Sequence, residues 1–187
     1  MKYSPPHYRH EDTPEAERAY REACLAVQNA YREYWERIRH TLPPHIVALG
    51  EFSGVEEGLL WRVESSKRRE ALRLSLRCGN LVMGYYDLFL EYSHAEMSLE
   101  HESILIQIAR STLSRGRHTS DLRWHEIDVT ETGGIEHRFE FYVHGGEPIG
   151  FAIRCRDMYW QIVNRPNRNF PYRKERFLET RGRTRVR

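Results

Sequence analysis

The stretch "WHEIDVTETGGIEHRFEFYV", Trp124 to Val143, carries a dense set of side chains that could ligate a metal. His125, Glu126, Asp128, Glu136 and His137 offer the nitrogen and oxygen donors that hold zinc or another divalent ion. Whether they meet depends on how the segment is threaded, and it reads as a β-hairpin. Ile127 and Val129 form the apolar side of one arm, Phe139, Phe141 and Val143 that of the other, with Gly133-Gly134 between them. A three-residue loop from Thr132 to Gly134, with Gly134 in the left-handed region, pairs Ile127 with Phe139 and sets Asp128 close to Arg138. In that register His137 faces Val129 and His125 faces Phe141. The two imidazoles then stand four positions apart, about 13 Å at roughly 3.3 Å per residue. Zinc–nitrogen bonds of about 2 Å do not span such a gap. The expectation is no metal site and no cofactor.

Other reactive residues are sparse. His94 and His101 lie among Glu96, Glu100 and Glu102 and read as an exposed acidic surface. Cys24, Cys78 and Cys155 form no Cys-x-x-Cys pair, which suits reduced, buried thiols in a cytosol. The chain has no Gly-x-Gly-x-x-Gly, no Walker loop and no His-Glu-x-x-His, and "GEFSG" (Gly50–Gly54) is not a nucleophile elbow. Nothing marks a carboxylate pair with divergent acidity. The expected protein is not an enzyme.

Charge is more informative. From Asn164 to Arg187 nine Lys or Arg face only two Glu, which leaves the preceding body with 20 basic and 25 acidic residues. An acidic, tyrosine-rich body suits a basic protein partner, with Glu91, Glu96, Glu100, Glu102, Glu126 and Asp128 as the candidate contacts. The tail interleaves Phe170, Tyr172 and Phe177 with arginines. Its alternative use is to grip the phosphates of nucleic acid through Arg165, Arg168, Arg173, Lys174, Arg176 and Arg181.

These residues need elements to hold them. The length of 187 residues suits one domain. Residues 1–12 read as an irregular arm, 13–163 as one α+β domain and 164–187 as the basic tail. Thr13 and Pro14 open a long helix over 14–40, with Ala16, Tyr20, Ala23, Val27, Ala30, Tyr34 and Ile38 on one face. At about 1.5 Å per residue it is roughly 40 Å long, enough to project or to pair with a second copy in a homodimer. Tyr20, Tyr31, Tyr34 and Trp35 read as clamps between this helix and a sheet.

From Ile46 to residue 163 the period is expected to be two. Leu72, Leu74, Leu76 and Cys78 alternate with Arg73, Ser75 and Arg77, and Tyr86, Leu88, Leu90 and Tyr92 with Asp87, Phe89 and Glu91. An earlier strand runs from Gly58 to Ser66. A short middle helix is read over 103–115, with Ile104, Leu105, Ile108, Ala109 and Leu113 on its apolar side, followed by the hairpin above and a last strand through Phe151, Ile153 and Cys155. The expected order is helix, three strands, helix, three strands and tail, on a largely antiparallel sheet of about six strands. No apolar run approaches the roughly 20 residues that span a bilayer, and "MKYSPPHYRHED" has no apolar core of a secretory signal. The expected location is cytoplasmic, with no membrane partner.

The runs "LPPHIVALGEF", "LLWRVESSKRREALRLSLRCGN", "GYYDLFLEY" and "HEIDV…EHRFEFYV…GFAIRC" resemble small bacterial β-domain proteins of uncharacterised or immunity type. In those a Leu-His-Asp-like step enters the first strand; here the place reads Val55-Glu56-Glu57. The resemblance spans Leu42 to Cys155. It implies a binding protein that neutralises a partner.

Overall fold

The computed structural model of the chain describes residues 2–4, 6, 13–55, 58–66, 70–80, 84–114, 120–143 and 147–164. The basic tail and its six candidate nucleic-acid contacts, Arg165, Arg168, Arg173, Lys174, Arg176 and Arg181, lie outside the described residues.

Helix α1 spans Pro14–Ile38 and starts as its sequence dictates. Thr13 is extended and its hydroxyl accepts the Ala16 N–H at 3.2 Å, Pro14 needs no intrahelical donor, and Glu15 and Glu17 sit at the positive end of the dipole. A 3₁₀ turn, Arg39–Thr41, follows. Helix α2, Pro44–Gly50, replaces the strand expected from Ile46. Pro44 presets the first helical φ, and Ile46 and Leu49, three apart, bury one face of a short helix where a strand would have split them across two.

The strands form two antiparallel sheets, which corrects the single sheet of about six. β1 (Leu59–Ser66), β2 (Ala71–Asn80), β3 (Gly84–Ser93) and β7 (Asp157–Asn164) build the first, in the order β1-β2-β3-β7. β4 (Ser120–Val129), β5 (Ile135–Val143) and β6 (Ile149–Cys155) build the second in sequence order. Strand β7 is the one the sequence hid. Only Arg156 separates it from β6, so no turn residues announce it, and the chain crosses from one sheet to the other at that point. The Arg156 N–H donates to Ser93 O of the first sheet at 3.1 Å.

The alternation read in β2 and β3 holds on the core side, where Leu72, Leu74, Leu76, Cys78, Leu88, Leu90 and Tyr92 are buried. The opposite face is drier than expected. Ser75, Arg77 and Asp87 are also buried, and the Arg77 guanidinium donates to the Asp87 carboxylate. Helix α3, Leu99–Ser114, overlaps the helix read over 103–115 and begins four residues earlier, in the acidic segment. Its Leu105, Ile108 and Ala109 join Ile46 and Leu49 of α2 and the inner faces of both sheets in one continuous core. The sheets meet at a seam where the Leu122 N–H donates to Gly58 O at 2.9 Å.

Strand β4 carries a bulge. Leu122 lies opposite Phe141 and Trp124 opposite Glu140, so Arg123 is the extra residue. Beyond it the hairpin runs in a register two residues tighter than the expected one. Ile127 lies opposite His137 rather than Phe139, and His125 opposite Phe139 rather than Phe141. The loop is Glu131-Thr132-Gly133, closed by Thr130 N–H to Gly134 O at 2.8 Å, and the left-handed residue is Gly133 at φ 81° rather than Gly134. The Thr130 hydroxyl fixes this choice by accepting the Gly134 N–H at 2.9 Å and bonding the Thr132 hydroxyl at 3.1 Å.

Candidate functional site

A shift of two keeps every side chain on its face and changes its neighbours. His125 and His137 are therefore not about 13 Å apart: their Nδ1 and Nε2 atoms lie 3.2 Å apart in a hydrogen bond. Tyr92 Oη of β3 bonds the other nitrogen, His137 Nδ1, at 2.9 Å, forming a three-member chain that runs from the buried Tyr92 and His137 to the half-buried His125. Burial lowers the His125 pKa to about 4 and drives that of His137 well down, with the neighbouring ring adding to the effect at His137. Neutral rings can share one N–H between them, so the chain is satisfied without charge. Glu126 and Asp128 point to the opposite face. Among the described residues no three His, Cys, Asp or Glu side chains converge as a metal site would require.

That opposite face is the outer surface of the second sheet. It carries Trp124, Glu126 and Asp128 on β4, Glu136, Arg138 and Glu140 on β5, and Gly150, Ala152 and Arg154 on β6. Arg138 is its electrostatic centre. One Nη reaches Asp128 at 3.0 Å and Glu126 at 3.4 Å, and the other pairs with Glu136. Glu136 also accepts from Arg154 Nε at 2.6 Å. Burial is the largest influence on Asp128 and Glu136 and pushes them upward. Hydrogen bonds outweigh it, from Tyr34, Arg138 and the Val129 N–H for Asp128 and from Arg154 and Arg138 for Glu136, so both carboxyls lie below their ordinary range.

Helix α1 crosses this face on its tyrosines. Tyr31 Oη accepts the Ile127 N–H at 2.9 Å, and Tyr34 Oη donates to Asp128. Tyr31 and Tyr34 thus clamp the helix to the sheet as expected, and their hydroxyls do so by bonding β4 itself. Burial, and then the Asp128 bond, push the Tyr34 hydroxyl up to about 12. Trp35 is the one buried residue of α1, and its ring lies against Gly50 of α2.

Residues 2–4 run between helix and sheet, with Pro6 beyond them. Glu126, 1% exposed, accepts two successive backbone N–H groups, Lys2 at 3.1 Å and Tyr3 at 2.5 Å. Lys2 Nζ lies 4.3 Å from the Tyr34 ring centre and 3.9 Å from Asp128. The Tyr3 ring stacks on Tyr34 at 5.4 Å and tilts against Tyr31 at 5.5 Å. Ser4 Oγ donates to Glu140 at 2.7 Å, and Arg123 donates to Glu140 and to Pro6 O, each at 2.5 Å. Beside this arm the face stays open. One hollow of about 720 Å³ lies over Gly150 and Ala152, walled by Glu96, His101, Arg138 and Arg154. A second, of about 890 Å³, lies at the hairpin end between Asp128, Thr130, Arg138 and Arg156.

The six acidic candidates do not share one patch. Glu126 and Asp128 lie beneath α1, and Glu96 borders both hollows. Glu100 and Glu102 are exposed in the first turn of α3, and Glu91 pairs with Arg73 on the outer face of the first sheet. The sequence gives no role to Arg123, Glu140 and Arg154, offers Glu136 only as a metal donor, sets Arg138 beside Asp128 without making it a centre, and leaves the arm undocked. A signal was present: "EHRFE" sets Glu136, Arg138 and Glu140 on one face of β5, an ion-pair row on a strand whose other face is core. The docking of residues 2–4 had no local signal. No protein family, curated protein or solved structure matches this chain.

Proposed function

We propose that the protein is a non-enzymatic binding protein, of adaptor or immunity type, and that it engages another protein through the outer face of the second sheet. The observation that carries this reading is Glu126. A carboxylate removed from water is turned toward the backbone of the N-terminal arm and accepts two consecutive N–H groups, while Asp128 and Tyr34 beside it receive a lysine. Such an arrangement recognises main chain and cation together. The open hollows continue the same face, so a longer segment of a partner has room along β5 and β6. Of the expected acidic contacts, this reading retains Glu96, Glu126 and Asp128. Their charge favours encounter with a basic partner.

The reading is tested by placing a photoreactive residue at Ala152, in the open hollow, or at the exposed Gln107 on α3, in cells that make the protein. A discrete adduct from position 152, absent at 107 and weakened by Glu96→Lys, is the expected result. The same background from both positions would overturn it.

A further inference from the structure

We propose that the groove between α1 and the outer face of the second sheet is a peptide-binding site for a Lys-aromatic-Ser segment, and that residues 2–4 are its resident, displaceable occupant. This deepens the function proposed above and rests on it.

Each arm residue meets a group suited to it. The backbone is read by Glu126, which is 1% exposed and, apart from the arm, has Arg138 at 3.4 Å as its hydrogen-bond donor. Without an occupant this carboxylate would lose both amide donors and keep only Arg138, a state that favours capture of another backbone. The basic side chain is read by Asp128 at 3.9 Å and the Tyr34 ring at 4.3 Å. The aromatic side chain fits the slot of Tyr31 and Tyr34. The serine hydroxyl is read by Glu140. These groups come from α1, β4 and β5, so the site exists independently of the arm that fills it.

The hold is also of a kind that can be exchanged. Half of the Lys2 side chain is exposed, and the arm adds no strand to the sheet. A segment of the same chemistry from a partner can therefore compete for the groove.

The test uses the full chain and a fluorescent, end-blocked peptide with the sequence of residues 1–6. Tyr3→Ala in the chain weakens the resident arm and should raise affinity for the peptide about tenfold over the unaltered chain. Glu126→Gln added to that variant turns an amide N–H donor toward one of the peptide's own, and should lower affinity about tenfold. Asp128→Asn serves the same purpose should Glu126→Gln unfold the chain, as monitored by circular dichroism. A peptide with Glu in place of Lys should bind more weakly. Equal affinity of the unaltered and Tyr3→Ala chains, or indifference to the Lys-to-Glu change, would overturn the inference. Loss of peptide binding with the Ala152 adduct intact would overturn this inference and leave the proposed function standing; peptide binding with no adduct would do the reverse.

Discussion

Arg138 stands among Glu126, Asp128 and Glu136, and its removal would leave three partly or fully buried carboxylates to repel one another. Arg138→Met keeps the length of the side chain and deletes the charge. It should cost about 3 kcal/mol or more in urea unfolding, the range for breaking a buried ion pair from one side. A loss below about 0.5 kcal/mol would mean that water already screens the cluster. The histidines predict a pH dependence. Both are held neutral by burial, His125 at about 4, whereas an unfolded chain protonates them near 6.5. The unfolded state then binds the more protons below 6.5, so this stability is complete above that pH and is lost on acidification toward 4. The depressed Asp128 and Glu136 add a second loss at still lower pH, as they too must protonate. The urea midpoint should fall from pH 7.5 to pH 5. His125→Phe, with one titrating ring fewer, should fall less steeply; equal slopes would place the acid sensitivity elsewhere.

Helix α1 rests on the sheet by long side chains, with Trp35 as its buried anchor. Gly50 makes that anchor possible: a Cβ there would lie 2.3 Å from the Trp35 ring. Gly to Ala at a helical position ordinarily stabilises by up to about 1 kcal/mol. Here Gly50→Ala should instead destabilise by about 1–3 kcal/mol, the cost of overpacking. Trp35→Leu in the same chain should relieve part of it, a coupling that a double-mutant cycle in thermal unfolding would measure. What sequence could foretell of the elements follows from how local their causes are. Thr13-Pro14 starts α1 within its own turn, and the leucines of β2 and β3 declare their face by alternation. The β4–β5 register was not legible, because Gly133 and Gly134 are equally able to turn left-handed and a threonine hydroxyl decides between them. Two sheets looked like one because β7 follows β6 after a single residue. The site was legible only in part. Glu126 and Asp128 stood out by charge, but the arm docks on them from more than 120 positions away.

The whole molecule is knit by long-range ties. β7 returns to the first sheet after the second is complete, Tyr92 of one sheet bonds His137 of the other, and the Leu122–Gly58 bond closes the seam. Two independently melting sheets are inconsistent with that wiring. Urea unfolding followed by tryptophan fluorescence and by far-ultraviolet circular dichroism should give coincident single transitions. Separate midpoints would show that the seam is weak. The extra residue of β4 makes the strand tolerant of one particular shortening. Leu122 lies opposite Phe141 and Trp124 opposite Glu140, so loss of the single codon for Arg123 would set side by side two residues whose partners are already neighbours. Leu122 would keep its inward place and its amide would stay beside Gly58, while the outer face would lose the cation that meets Glu140 and Pro6. An in-frame deletion of that one amino acid should thus leave the join between the sheets closed, whereas deletion of Ile127 would turn part of the strand over.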